Sequence, residues 1–293
     1  MVLGGARESR DLEAGEPADP QAALAFPMLA ELAFSTTVLA YAAACALFFA
    51  HLARRGASGR LARAARWHLG IAAGCHGAWI ALASLGENVC PVGSIHFLGS
   101  VAAFFASILY LGLWKRARLE ALGVFVAPVA LTFVLGSRFV ETPERHMTGA
   151  FVALHVLVNL LGEAFFLLAC GAAVLYLLQE KQLKQKRGGG WLGRLPSLEA
   201  LDRAAHKFLL SGFPLLTIGI VSGTVWAGRL ENGTPAEIAR AAFGYGTWLL
   251  FGAVLVLRAA AGWRGRKAAY GTIAGFVLAL TVLVMYLVRG GGV

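Results

Sequence analysis

The sequence has few charged residues for its length. Asp, Glu, Lys and Arg make up 14% of its 293 residues, whereas 58% are hydrophobic, and the mean hydropathy is +0.68. About a quarter of the residues of a soluble domain are charged. This scarcity therefore argues against a soluble globular domain and favours a protein that is embedded in a membrane.

Sequence motifs of catalysis and metal binding are also lacking. The four cysteines show no CxxC or zinc-site spacing, and three of them lie in apolar stretches, which is typical of small buried residues. The sequence contains no P-loop, GxSxG or HExxH motif, no internal repeat, and no nucleophile paired with a base in its loops. We therefore expect a protein that is not an enzyme.

Basic residues are present in excess, and their placement predicts a topology. The net charge is +10, but Lys and Arg occur in short clusters between apolar stretches, a pattern typical of membrane proteins and not of nucleic-acid binding. The clusters fall in four alternate loops (54–66, 115–118, 181–203 and 264–267), while the other loops are nearly neutral. The positive-inside rule predicts that these four loops are cytoplasmic and that both termini are extracytoplasmic.

Eight apolar stretches are long enough to cross a bilayer as helices, since a span needs about 20 apolar residues. They predict an all-α, polytopic membrane protein: a single domain of about eight transmembrane helices within residues 28–289. Residues 1–27, which contain several acidic residues and prolines, predict a disordered external tail. The predicted helices are 28–51, 67–86, 96–114, 120–136, 149–178, 206–228, 240–261 and 268–289.

Ionisable side chains within predicted spans are candidate functional residues, because burying them in lipid costs free energy. The fifth span carries His155, Asn159 and Glu163 at a spacing of four, which places all three along one helix face. His155 would lie about 9 Å below the outer end of the span. Glu163 would lie near the middle of the membrane, where a carboxyl group must be protonated or hydrogen-bonded.

Two further histidines are predicted at the same level. His76 lies in the middle or outer half of the second span, and His96 begins the third span at the outer surface. Imidazoles from different helices can hold a haem iron, so His155 and His76 are candidate iron ligands and His96 a candidate contact. An interhelical hydrogen bond is the alternative. His206 and Trp226 are interfacial anchors or cofactor contacts.

Three segments, together covering the C-terminal half, resemble the cytochrome c assembly family of CcsA-like and HemX-like proteins. The first begins at His155 and ends with Ala173-Val-Leu-Tyr-Leu-Leu-Gln-Glu-Lys-Gln-Leu. The second is Leu201-Asp-Arg followed by residues 212–227, and the third is Thr247-Trp248, Arg258 and Gly262-Trp-Arg-Gly-Arg-Lys-Ala-Ala. The resemblance implies a multi-pass protein of a bacterial inner membrane that handles haem during cytochrome c biogenesis or in haem metabolism.

The chain departs from the CcsA-like members of the family, which are components of a haem-exporting synthetase. These departures make the resemblance closer to the HemX-like branch. Those members have a Trp-rich motif containing Trp-Asp-Pro-Lys-Glu, where this chain has Glu237-Ile-Ala-Arg-Ala, and a transmembrane His where this chain has Val256. Of the family's haem-associated histidines, the resemblance carries over His155. Haem is therefore the implied cofactor, and biogenesis factors or a tetrapyrrole-synthesis enzyme are the implied partners.

Two alternatives remain open from the sequence. In the first, His155, Asn159 and Glu163 form the polar path of a small-solute or proton transporter. In the second, the protein is a membrane scaffold for an assembly partner. The basic stretch from Lys181 to Arg194 would then be its docking strip, or a surface attracted to anionic membrane lipid.

Overall fold

The computed structural model describes residues 20–54, 59–86, 95–117, 120–139, 150–185, 195–227 and 234–289. All regular secondary structure within these ranges is helical, which confirms the predicted all-α fold. The helices are α1 (Pro20–Ala53), α2 (Gly59–Gly86), α3 (Ile95–Ala117), α4 (Gly123–Phe139), α5 (Ala150–Lys184), α6 (Leu198–Ala227), α7 (Pro235–Ala261) and α8 (Arg266–Arg289). A short 3-10 turn (Glu120–Leu122) precedes α4.

The helices pack as consecutive pairs around α5. The closest packing is within the pairs α1–α2, α3–α4, α5–α6 and α7–α8, and α5 also packs against α3 and α8. The span of α5 is 67% buried inside the protein, whereas the spans of α1, α6, α7 and α8 are 22–28% buried. Polar side chains on α5 therefore face other helices more often than lipid.

Among the residues that the structure describes, five helices are long and apolar enough to cross a membrane: α1, α5, α6, α7 and α8. Two shorter apolar helices, α3 and α4, pack against each other, and α3 also packs against α5. This arrangement is that of a multi-pass membrane protein, as the sequence predicts.

Several helices begin earlier than the predicted spans. α1, α2 and α6 begin at Pro20, Gly59 and Leu198, upstream of residues 28, 67 and 206. The added segments are rich in Ala, Leu, Gln and Arg, which favour helix, and a helix need not end where the hydrocarbon ends. Residues 20–27 are thus helical, although the sequence assigned them to a disordered tail. Residues 1–19 lie outside the described ranges.

The carboxylate of Asp202 joins the start of α6 to the end of α7 and the start of α8. Asp202 accepts hydrogen bonds from Arg258 at 3.0 and 2.7 Å and from the backbone N–H of Gly265 at 2.8 Å. The turn between α7 and α8 uses left-handed conformations at Gly262 (φ 67°) and Gly265 (φ 63°), which glycine adopts without strain. This end of the bundle carries the basic loops.

The opposite end is also tied together. Arg138 near the end of α4 forms an exposed ion pair with Glu31 near the start of α1. At the start of α7, Thr234 and Glu237 cap each other's backbone N–H groups. His155, near the start of α5, lies toward this end.

Candidate functional site

His155 lies at the interface of α5 and α6. Its ring nitrogen Nδ1 is 2.7 Å from the hydroxyl oxygen of Ser222 on α6. Asn159, one turn further along α5, donates a hydrogen bond of 2.7 Å to the backbone carbonyl of His155. The same amide nitrogen is 3.5 and 3.4 Å from the two ring nitrogens, near the limit for a hydrogen bond. His155 and Asn159 are thus in direct contact, as their spacing predicts.

The hydrogen bonds of Ser222 favour one tautomer of His155. The hydroxyl group of Ser222 has one hydrogen, for which the backbone carbonyls of Ile218 at 2.7 Å and Gly219 at 3.1 Å are acceptors. With the hydrogen directed to these carbonyls, the hydroxyl oxygen accepts from Nδ1–H of His155, whereas a hydroxyl turned toward Nδ1 selects the other tautomer. In the first arrangement the remaining nitrogen, Nε2, keeps its lone pair, which is the form in which imidazole binds a metal.

Glycines on α6 make room for the polar side chains of α5. A Cβ atom at Gly219 would overlap the side-chain amide of Asn159, and a Cβ atom at Gly223 would lie 3.2 Å from Cε1 of His155. A Cβ atom at Gly219 requires the amide of Asn159 or the helices to shift, and one at Gly223 requires the ring of His155 to give by a few tenths of an ångström. Ser222 and Gly223 therefore lie against His155, and Gly219 lies against Asn159.

The site borders an apolar surface. His155 is itself half-buried. One helical turn away lie exposed apolar side chains: Phe151 on α5 (48% exposed), and Ile218 (53%) and Val225 (51%) on α6. The partly exposed imidazole therefore lies beside apolar side chains of the outer surface of the helix pair.

Glu163 completes the predicted polar face of α5 but not a hydrogen-bonded chain. It is half-buried, and it has no hydrogen bond or ion pair with any residue that the structure describes. Asn159 directs its short bond back to His155 and not onward to Glu163. A continuous His–Asn–Glu relay, as the transporter alternative requires, is not formed by these three side chains.

His76 belongs to a different cluster. Its side chain is fully buried among α1, α2 and α3, with Nε2 2.7 Å from the hydroxyl of Ser100 and Nδ1 3.2 Å from that of Tyr41. Trp79 and Phe104 pack around the ring. An iron at either nitrogen of His76 would have to displace a hydrogen bond. His76 and His155 share no partner, so pairing them as ligands of one iron stays a prediction.

The other predicted residues fall into two groups. The side chains of His96 and Trp226 lie outside the described residues. His206 lies near the start of α6, 16 residues before Ser222 and hence about 24 Å away along the helix. Its Nδ1 is buried and has no hydrogen-bond partner among the described residues. His206 and Asp202 line a cavity of about 10 Å³, which holds one water molecule at most.

The hydroxyl partners of both histidines were not predicted. The sequence does not mark Ser222 or Tyr41 and Ser100 as partners of the histidines, nor Ser107, which bonds to Tyr41 at 3.1 Å. A hydroxyl within an apolar span is a weak sequence signal, because Ser and Thr can satisfy themselves on the carbonyl one turn back. Only the packing of the helices shows which of them meets a histidine. Among the described residues, no group of three or more His, Cys, Asp or Glu could hold a metal ion.

The family model described as "Cytochrome C assembly protein" matches residues 92–291, which include α3 to α8 and the whole of the His155 site. This chain belongs to the cytochrome c assembly protein family. The resemblance found in the sequence is thereby confirmed, whereas its HemX-like branch stays a prediction. His76 lies outside the matched region.

Several curated members of the family, each named cytochrome c biogenesis protein CcsA, are similar to parts of the chain. That of Microcystis aeruginosa is 40% identical over 94 residues, covering 32% of this chain and 28% of the relative. That of Guillardia theta is 27% identical over 187 residues, covering 56% and 62%, and that of Prochlorococcus marinus is 28% identical over 160 residues, covering 48% and 51%. In each case the chain matches less than two thirds of the relative's length. No solved structure matches.

Proposed function

We propose that this protein is a non-enzymatic, haem-handling accessory protein of cytochrome c assembly that binds haem through Nε2 of His155. The contact between Nδ1 and the hydroxyl of Ser222 carries the proposal, because the Nδ1-protonated tautomer that it favours leaves the lone pair of Nε2 for iron. Membership of the family supports haem as the ligand. A bound haem would supply an iron that this imidazole would ligate.

Each neighbour of His155 has a defined part in this proposal. Ser222 fixes the tautomer and the angle of the ring, and Asn159 restrains the ring from its own helix. Gly223 leaves space beside the ring. The exposed apolar side chains of Ile218 and Val225 provide the surface against which the flat, apolar macrocycle would rest.

We also propose that the protein lies in the inner membrane of a bacterium with both termini extracytoplasmic. The clustering of Lys and Arg in alternate loops supports this orientation. His155 would then lie near the extracytoplasmic face. Biogenesis factors or a tetrapyrrole-synthesis enzyme are its proposed partners, and the departures at Glu237-Ile-Ala-Arg-Ala and Val256 favour the HemX-like branch.

Haem titration of the detergent-purified protein tests the proposal. Wild-type protein should bind haem with a shifted Soret band and a saturable stoichiometry, and His155→Ala should lose that band. The matched control is His68→Ala. His68 is also half-buried, but its Nδ1 is 2.9 Å from the carbonyl of Ala64 on α2, away from this site. If His155→Ala and His68→Ala bind haem equally well, His155 is not the ligand.

A further inference from the structure

A groove opens between the C-terminal part of α5 and the start of α8. It has a volume of about 550 Å³ and is distinct from the haem site proposed above. Its lining residues on α5 repeat at helical spacing, so they share one face of that helix. On α8 it is lined by Arg266 and Tyr270.

The groove changes from apolar to cationic along its length. Val174 and Leu177 form the apolar part, and Lys181 and Lys184 follow one and two turns further along α5. From Val174 to Lys181 the helix rises about 10 Å. Because α5 ends and α8 begins at the same end of the bundle, Arg266 lies on the cationic side of the groove.

The positive charge in the groove is only partly neutralised. Lys184 is paired with Glu180 at 2.6 Å, whereas the exposed side chain of Lys181 has no ion pair among the described residues. Arg266 donates to the hydroxyl of Tyr270 at 3.3 Å, and its guanidinium group lies 5.5 Å from the centre of that ring. These contacts hold Arg266 at the groove, where it has no ion pair with a described residue, although the carboxylate of Glu180, which also lines the groove, lies near enough to act on its charge.

We infer that this groove binds an anionic phospholipid of the cytoplasmic leaflet. The phosphate group would lie between Lys181, Arg266 and the hydroxyl of Tyr270, and an acyl chain would follow Val174 and Leu177 toward the membrane interior. An amphiphile with one anionic head matches this arrangement of charge and apolar surface. Basic pockets between helices on the cytoplasmic side attract such head groups.

Lipid titration followed by native mass spectrometry tests the inference. Phosphatidylglycerol and phosphatidylcholine with identical acyl chains are titrated into the full-length protein. Wild type should bind phosphatidylglycerol at least about tenfold more tightly than phosphatidylcholine. The double variant with Lys181→Gln and Arg266→Gln should bind phosphatidylglycerol about tenfold or more weakly than wild type does. Excess inorganic phosphate should not displace the lipid, because the acyl chain contributes to binding.

The control is Arg60→Gln with Arg63→Gln, two exposed residues of α2 that do not line the groove. It removes the same charge and should leave the affinity for phosphatidylglycerol unchanged. Lys181→Gln alone, at an exposed position, should give a several-fold loss even if the double variant fails to fold. The inference is overturned if the groove variants bind phosphatidylglycerol as wild type does, or if the control loses as much affinity. It is also overturned if phosphate displaces the lipid or if phosphatidylcholine binds as tightly.

Discussion

At the scale of residues, the behaviour of His155 depends on where one hydrogen atom lies. Ser222 has two backbone carbonyls within 3.1 Å that can take its hydrogen, and in that arrangement its oxygen accepts from the imidazole. A histidine that ligates a metal commonly donates its other ring N–H to such an acceptor, which fixes the ring and raises the basicity of the ligating nitrogen. His76, with a hydroxyl at each nitrogen, lacks this asymmetry.

Replacing Ser222 by Ala should weaken haem binding without abolishing it. The variant removes the acceptor of Nδ1–H, so the ring loses its preferred tautomer and orientation, and haem affinity should fall by about tenfold or more. Ser211→Ala, at an exposed position on the same helix, is the control and should bind haem as wild type does. Equal affinities for the two variants would show that Ser222 does not orient the ligand.

The sequence predicted which residues of α5 share a helix face, but it did not predict which residues of other helices they contact. The spacing of His155 and Asn159 placed them on one face, and the two do touch. His76 is at a comparable depth, yet it faces Tyr41 and Ser100 on neighbouring helices. The sequence could not distinguish these outcomes, because a helix that is apolar all round does not indicate which side meets which neighbour.

At the scale of elements, α5 and α6 form the most extensive helix contact among the described residues, and small residues make it possible. Helices in lipid gain little from hydrophobic association, so they rely on close packing and interhelical hydrogen bonds. Gly212 lies against Phe166, Gly219 against Asn159 and Gly223 against His155. The site is therefore part of the packing that holds the two helices together.

Gly219→Ala should destabilise this pair. The added methyl group would overlap the amide of Asn159 and force the helices apart, at a cost of about 1–3 kcal/mol. Thermal unfolding in detergent measures the effect, with Gly74→Ala as control, since a Cβ atom at Gly74 meets nothing within 4 Å. Gly74→Ala should be as stable as wild type or more so, because Ala favours helix. A Gly219→Ala protein as stable as Gly74→Ala would contradict this account.

The order of the helices was predictable because it depends on hydropathy alone. Their lengths were not, since helix propensity continues into segments such as 59–66 that hydropathy assigns to loops. The Asp202 contacts between α6, α7 and α8 also required the folded arrangement. Asp202 and Arg258 are separated by 56 residues in the sequence, and nothing local couples them.

At the scale of the whole molecule, ion pairs join helices at both ends of the bundle. The Asp202–Arg258 pair joins three helices at the end that carries the basic loops, and the Glu31–Arg138 pair joins α1 to α4 at the other. The proposed haem site lies toward the second end and the proposed lipid groove at the first. The orientation in the membrane therefore decides which compartment each site serves.

The two ends of α7 provide a direct test of that orientation. In a variant whose four native cysteines are replaced by serine, Thr234→Cys and Arg264→Cys place single thiols at exposed positions on either side of the helix. A membrane-impermeant maleimide added to intact spheroplasts should label residue 234 and leave residue 264 unlabelled until the membrane is lysed. If residue 264 alone is labelled in intact spheroplasts, the orientation is the opposite of the predicted one.

The central claim, that Nε2 of His155 ligates haem iron, is tested most directly by His155→Gly in the presence and absence of free imidazole. Removing the side chain leaves a gap beside Ser222 and Gly223 that an added imidazole can occupy. We predict that His155→Gly lacks the Soret band of the wild-type haem complex and that millimolar imidazole restores this band. The control His68→Gly should show the wild-type Soret band with or without imidazole. A His155→Gly protein with the wild-type haem spectrum before any imidazole is added would contradict the claim.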